Sequence, residues 1–335
     1  MKRRTLILGS MAGATALGLA LKPEESGSNH SPYFVQASSA LDSAGLAKPT
    51  LVVDRERLLA NINTLTSHIG DRFDYRIVAK SLPSLPLLQT VMEAAGSNRL
   101  MLFHQPFLNE VANSLPAADV LMGKPMPVSA VANFYRSLGS TGFDPAQQLR
   151  WLIDTPDRAL QYVEFASASN QAMKVCIELD VGLHRGGVRN KAQLLAILDT
   201  LEASSQVSFA GFMGYEPHVV KVPGDPIKYR DEAMSTYRHY VELAKTHLGS
   251  AWPTDVLLNA GGSPTYQLYD EGDFPFNQLA AGSCLVKPTD FDLPSLADHQ
   301  PASYIATPVL KRLDTLEIPG IDLGALQTWW NHNRA

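Results

Sequence analysis

One lysine closes a short apolar run. Asp74-Tyr75-Arg76-Ile77-Val78-Ala79-Lys80-Ser81-Leu82-Pro83 reads as a buried strand that delivers Lys80 to its C-terminal end and breaks at Pro83, with Arg76 interrupting the apolar pattern. A lysine held at the mouth of a sheet or barrel loses water and its pKa falls. The neutral amine is then the nucleophile that Schiff-base chemistry with a carbonyl group requires. Taken alone, such a lysine is most simply a surface residue, because lysine is so rarely buried. A second feature changes the balance. In Asn259-Ala260-Gly261-Gly262-Ser263 two glycines let backbone N–H groups approach an anion and the Ser263 hydroxyl adds a donor, which suits a phosphate. Gly282 and Ser283, in the last apolar run, are placed to complete that cradle.

Other chemistry-bearing residues follow the same rule of placement. Lys80, His104, Lys124, Asp154, His184-Arg185, Tyr215-Glu216, Asn259 to Ser263 and Gly282-Ser283 all lie where strand-like runs end, and no strand start carries a comparable set. His104 and His218 are either proton carriers near neutral pH or hydrogen-bonded structural histidines. Lys124, in Gly123-Lys124-Pro125, reads as a solvated loop lysine. Cys176 and Cys284 sit in apolar runs without a spacing motif, as buried small hydrophobes rather than a disulfide framework.

The elements that must position these residues alternate along the chain. Strand-like runs fall at 75–79, 99–104, 119–122, 149–154, 174–180, 207–215, 254–260 and 278–286, with helical patterns at 85–95, 107–114, 128–138, 157–167, 191–203 and 231–248. About eight strand–helix units over roughly 215 residues predict an α/β fold, a (β/α)8 TIM-type barrel over 48–290. A doubly wound open sheet is the alternative. In a barrel the strand ends gather at one face, where sites are built. Before the first unit, Thr50 to Val53 reads as a strand and Asp54 as the cap of a helix to about His68. After it, residues 291–335 form an incomplete C-terminal β extension: one or two strands within 301–318 and an amphipathic helix over 323–331.

The 335 residues carry a net charge of −5, with no basic run beyond the first few, which argues against nucleic acid as a partner. Residues 1–40 read as an export signal and linker: a basic head, an apolar run from Thr5 to Leu21, and a Ser-rich segment over 24–48 without a period. Arg3-Arg4 resembles a twin-arginine signal, so the expectation is a periplasmic protein whose leader meets the export machinery; a membrane anchor is the alternative.

Five segments in order resemble the fold-type III pyridoxal phosphate enzymes, whose barrel is that of the alanine racemase N-terminal domain, and in particular the branch of D-threonine aldolases and D-serine dehydratases. They are Ala79-Lys80, Asp180-Val181-Gly182-Leu183-His184-Arg185-Gly186-Gly187-Val188, Gly211-Phe212-Met213-Gly214-Tyr215-Glu216, Asn259 to Thr265, and Ala281-Gly282-Ser283. The opening Lys48 to Asp54, with Asn61-Ile62, fits the same pattern. The resemblance spans roughly residues 48–318. It implies pyridoxal 5'-phosphate held by Lys80, which doubles as a base near the substrate carbon. Arg185 would point at the ring oxygen or the lysine side, against the alternative of a surface ion pair. Tyr215 would lie beside the ring, against the alternative of a core tyrosine. Asn259, Gly261, Gly262, Ser263, Gly282 and Ser283 would hold the phosphate, and His104 is a candidate proton carrier. The implied partners are a small amino-acid substrate and a second copy of the chain.

Three departures bear on activity. Alanine racemases place an arginine two residues before the eighth-strand glycine; Ala280 stands here. Their second base, a tyrosine, comes from a C-terminal β domain that this chain does not complete. The aldolase branch holds a divalent metal with a C-terminal His and a Cys or Asp two residues on; His332 is followed by Arg334, so no ligand pair is visible. The expected activity is therefore aldol cleavage or β-elimination of a small D- or 3-hydroxy-amino acid. Amino-acid racemization and a periplasmic cofactor-binding pseudoenzyme are the alternatives.

Overall fold

A computed structural model describes residues 30–311 and 319–320. The described chain divides into two compact units, Val53–Tyr304 and a smaller one whose described residues are 30–52, 305–311 and 319–320. The larger unit holds eight short strands, most of their residues buried. They are β1 (Asp74–Val78), β2 (Arg99–Leu102), β3 (Asp119–Met122), β4 (Leu149–Ile153), β5 (Met173–Glu178), β6 (Val207–Met213), β7 (Leu257–Ala260) and β8 (Gln278–Ala281). All neighbours are parallel, and β8 pairs with β1 through Asp74↔Gln278 to Ile77↔Ala281, so the sheet closes into a barrel in sequence order. The (β/α)8 expectation holds, and the open-sheet alternative is excluded by that last pairing.

Helices Leu85–Ala95, Gln105–Ser114, Val128–Ser137, Pro156–Ser169, Lys191–Glu202 and Pro226–Leu248 follow β1 to β6. A three-ten turn, Tyr266–Tyr269, follows β7, and a one-turn helix, Ser283–Val286, follows β8. Helix Arg55–Ile69 precedes the barrel and packs against both Leu85–Ala95 and Ser283–Val286. Asp54 starts it by accepting the Arg57 N–H at 3.0 Å. Leu58, Ile62, Leu65 and Ile69, spaced at 3.6-residue periodicity, are its buried stripe. Asn61 interrupts that stripe for a reason: its side-chain amide donates to the carbonyls of Leu285 (2.9 Å) and Gln300 (2.7 Å) and its oxygen accepts the Gln300 N–H (2.8 Å). One buried asparagine thereby fixes the helix to the chain that leaves β8.

The N-terminal end of the barrel corrects the expectation that strand starts carry no polar set. Side chains alternate along a strand, so Arg76 shares the inward face with Val78. Arg76 is fully buried and donates to Gln278 Oε1 (2.9 Å), the Leu100 carbonyl (2.9 Å), the Asp119 carbonyl (3.0 Å) and Asp119 Oδ1 (2.6 Å); Arg150 holds the other Asp119 oxygen. Five strands thus contribute to one charged barrel floor. Burial alone would raise the Asp119 carboxyl, but the two guanidinium groups more than offset it and hold it below its ordinary value.

At the β5–β6 pairing the register slips between Val175 and Cys176, and Gly211 lies at the irregularity with φ +149°. A Cβ there would sit 1.8 Å from the Leu257 carbonyl oxygen, so only glycine fits.

In the smaller unit, residues 32–43, expected as a structureless linker, form a helix, Pro32–Ser43, with Pro32 in its first turn. None of its residues is buried, so no apolar stripe marks it in the sequence. Strands Thr50–Val53 and Ser303–Ala306 form a two-stranded sheet. The expected export signal, the helix over 323–331 and the His332–Arg334 pair lie outside the described residues.

Arg76→Met leaves the carbonyls of Leu100 and Asp119 and the Gln278 amide without their donor. We expect a loss of about 3–5 kcal/mol, the cost of breaking a buried pair, measured as a lower denaturant midpoint. Because the Asp119 value is depressed on folding, its contribution is present above about pH 4 and is lost as pH falls through the folded value. The gap between wild type and variant should narrow in acid.

Candidate functional site

The strand alternation that buries Arg76 also aims Val78 and Lys80, Met101 and Phe103, Met213 and Tyr215, Asn259 and Gly261, and Ala280 and Gly282 into one cavity at the C-terminal face. Its volume is about 240 Å³. Lys80 sits in a three-ten turn, Ala79–Ser81, directly after β1. Its side chain is open to the cavity, with Nζ 4.7 Å from the ring centre of Phe103 and 6.0 Å from that of Tyr215. Burial of the surrounding chain, then the charges of Arg185 and Lys124, push the Lys80 amine below its ordinary value. Three cations and no carboxylate line the cavity, in a chain whose net charge is negative.

The wall beside Lys80 is glycine by necessity. Gly261 adopts φ +80°, a Cβ on Gly262 would meet the Tyr215 ring at 2.8 Å, and one on Gly282 would lie 2.3 Å from the Val78 carbonyl oxygen. Ser263 Oγ accepts the N–H groups of Gly282 (3.0 Å) and Cys284 (3.1 Å), so the loop after β7 is tied to the chain after β8. Ser283 Oγ lies 2.7 Å from Ser81 Oγ, which ties that chain to the lysine turn. The Gly282 N–H is therefore engaged by Ser263, and Gly282 serves by lacking a side chain. Among the described residues, the N–H groups of Gly262 and Ser263 meet no acceptor. Behind the loop, the fully buried Glu216 accepts the Thr265 hydroxyl (2.9 Å) and the Gly261 N–H (3.4 Å); burial pushes its carboxyl up.

Asp180 shapes the loop that presents Arg185. Its Oδ1 accepts the N–H groups of Gly182 (3.2 Å) and His184 (2.9 Å), and its Oδ2 meets His184 Nδ1 and Arg189 Nε, each at 3.0 Å. Both Gly182 and His184 have positive φ. Arg185 then lies 5.1 Å from the Tyr215 ring centre and 3.7 Å from Glu178 Oε1. Glu178 ends β5, buried; burial raises its carboxyl, and the charges of Arg185 and Lys124 pull the other way.

The structure brings Lys80, Arg185, Tyr215, Asn259, Gly261, Gly262, Ser263, Gly282 and Ser283 to one cavity, with Ala280 at its wall. It does not bring His104. Phe103 lines the cavity, while His104, the residue that starts helix Gln105–Ser114, lies beside Phe107 and Glu110 in an adjoining groove that Lys80 and Phe103 also line. His218 also stays outside: its ring packs under Gly182, whose added Cβ would lie 2.9 Å from Nε2, and its Nδ1 is buried without a partner. Lys124 is corrected in the other direction. It is half-buried in the cavity wall, not a solvated loop lysine. Glu178 was missed, and Glu216, named as a strand-end residue, was given no role. Glu178 precedes Asp180 by two residues, on the same strand face, which is the signal that could have found it.

One His/carboxylate group with metal-like spacing occurs among the described residues: Asp199, Glu202 and His247, on the outer helices. His247 Nε2 is 2.8 Å from Asp199 Oδ1, an exposed ion pair that accounts for the grouping.

The Lys80 amine should titrate below a free lysine side chain. Its reactivity towards a small carbonyl reagent should rise with pH and level off early. Removing a neighbouring positive charge favours the protonated form, so Arg185→Ala should move that midpoint upward. A midpoint at the free-lysine value in wild type would refute the assignment.

The family model for the alanine racemase N-terminal domain matches residues 53–290. Solved structures with the same fold include alanine racemase from Bacillus anthracis with bound L-Ala-P, at 15% identity and TM-score 0.60, covering 78% of this chain and 64% of that one. D-threo-3-hydroxyaspartate dehydratase from Delftia sp. HT23 aligns at 19% identity and TM-score 0.59, covering 72% and 61%. D-threonine aldolase from Filomicrobium marinum aligns at 14% identity and TM-score 0.62, covering 78% and 71%. The chain thus spans less than two thirds of the length of the first two. No curated protein matches by sequence.

Proposed function

This chain belongs to the alanine racemase N-terminal domain family, and from that premise we propose that it is a pyridoxal phosphate enzyme that breaks a bond at the α- or β-carbon of a small D- or 3-hydroxy-amino acid. The observation that carries the reading is the pairing, in one cationic cavity, of a depressed lysine amine with a glycine wall in which, among the described residues, the N–H groups of Gly262 and Ser263 meet no acceptor. The residues fit the cofactor. Lys80 offers an amine for its carbonyl, and Gly262 and Ser263 with Ser283 offer donors for its phosphate. Tyr215 and Arg185 flank the space between, and Ala280 leaves its wall uncharged.

When bound, pyridoxal phosphate supplies a carbonyl for amines and a ring that withdraws electrons from the substrate carbons. The chain supplies the rest. Lys80 Nζ is suited to act as a nucleophile because burial and the charges of Arg185 and Lys124 favour its neutral form, and the same atom can take a proton and return it. Arg185, held between Glu178 and the Tyr215 ring, brings a fixed positive charge to the centre of the site. Met101, Phe103 and Met213 keep that side of the cavity apolar, which strengthens each charge interaction within it.

Aldol cleavage or β-elimination is the preferred chemistry. Ala280 departs from the racemase pattern, and two of the similar folds are a dehydratase and an aldolase. A racemase reading keeps some support, since Tyr215 and Lys124 are further proton-bearing groups in the same cavity.

Protein treated with pyridoxal phosphate should gain an absorbance band near the visible edge that Lys80→Ala lacks; no band in wild type refutes the reading. Over a panel of D- and 3-hydroxy-amino acids, an aldehyde, or a 2-oxo acid with ammonia, is expected. Exchange of the α-proton in deuterated water without either product would assign racemization, and binding without turnover would assign a pseudoenzyme.

A further inference from the structure

We propose that Lys124 is the residue that binds the carboxylate of the amino-acid substrate. The inference rests on the pyridoxal phosphate reading above and deepens it.

Position is the first ground. Lys124 follows β3, and the glycine wall follows β7 and β8. In a closed ring of eight strands, β3 and β7 stand opposite one another. Lys124 thus lines the cavity across from the glycine wall, and its charge reaches the Lys80 amine, where the substrate would be joined.

Pairing is the second ground. Of the three cavity cations, Arg185 has Glu178 and the Tyr215 ring, and Lys80 lies against Phe103. Among the described residues, Lys124 makes no hydrogen bond, ion pair or ring contact, yet it is half-buried in the cavity wall. A partly desolvated ammonium whose nearest carboxylate influence, Glu178, is already paired with Arg185 is suited to an anion brought by the ligand.

Fixation is the third ground. The Gly123 N–H donates to the Leu102 carbonyl at 2.8 Å, and the place of its missing Cβ is filled by the Phe103 ring, 2.5 Å away. On the other side, the Met126 carbonyl accepts from Arg158 Nη1 (2.9 Å) and from the Tyr162 hydroxyl (2.8 Å). The backbone on both sides of Lys124 is pinned, so the side chain enters the cavity wall from a fixed point.

The test pairs removal of the cation with removal of the anion. D-serine and D-threonine, each against its own carboxamide, are titrated into the cofactor-loaded full chain, and half-saturation is read from the absorbance change. Wild type should prefer acid over amide by roughly 10- to 100-fold, the range of a charge-assisted hydrogen bond. Lys124→Met should lose that preference, and Lys124→Arg, which keeps the charge, should retain most of it. In turnover, Lys124→Met should raise KM with kcat within a few-fold. An acid-over-amide preference that survives Lys124→Met, or no preference in wild type, overturns the inference. So does loss of the cofactor band in Lys124→Met, which would place the lysine on the cofactor instead. A wild-type chain that never forms the band overturns the underlying reading, and this inference falls with it.

Discussion

Closure of β8 onto β1 is the constraint on which the rest of the site depends. Lys80 and the glycine wall are far apart in sequence, and only the Asp74↔Gln278 to Ile77↔Ala281 register makes their strand ends neighbours. Short polar bonds then lock three consecutive strand ends together. Ser263 Oγ holds the N–H groups of Gly282 and Cys284, and Ser283 meets Ser81 in the lysine turn. The other end of the barrel is closed by charge. Arg76 gathers Gln278, Leu100 and Asp119 from three other strands, so floor and mouth are held by different interactions on the same inward-facing rows.

The electrostatics of the mouth follow from that geometry. Three cations converge on a small cavity because their strand ends do, and no carboxylate lines it. Burial makes the Lys80 amine harder to protonate, and the charges of Arg185 and Lys124 act in the same direction. The nearby carboxyl of Glu178 is raised by burial and drawn back by Arg185 and Lys124. Glu216, buried behind the loop with no cation beside it, is raised too, which limits the negative charge beneath a wall suited to anions.

Most of the barrel was legible from the sequence because the signals were redundant. Eight apolar runs of strand length alternated with amphipathic helices, and each run ended on a polar residue or a glycine. Lys80, Arg185, Tyr215 and the segments 259–263 and 282–283 could be named because they close strands. What could not be read were directions. Phe103 and His104 are adjacent, and only the point at which β2 ends and its helix begins decides which one faces the cavity. Lys124 looked like a loop lysine because Gly-Lys-Pro carries no periodicity; its inward position depends on Gly123 packing under Phe103. Arg76 looked like an interruption because a buried guanidinium needs partners from several strands, and pairing between distant strands is not written locally. Helix Pro32–Ser43 was missed for the opposite reason: it buries nothing, so no stripe announces it.

The central claim is that one molecule bridges the amine of Lys80 and the N–H groups of Gly262 and Ser263. A crystal structure of the protein grown with pyridoxal phosphate tests it most directly. The account predicts continuous density from Lys80 Nζ to a phosphate resting on Gly262 and Ser263, with Tyr215 and Arg185 beside the ring. A ring joined to another lysine, or a phosphate bound away from that wall, would contradict it.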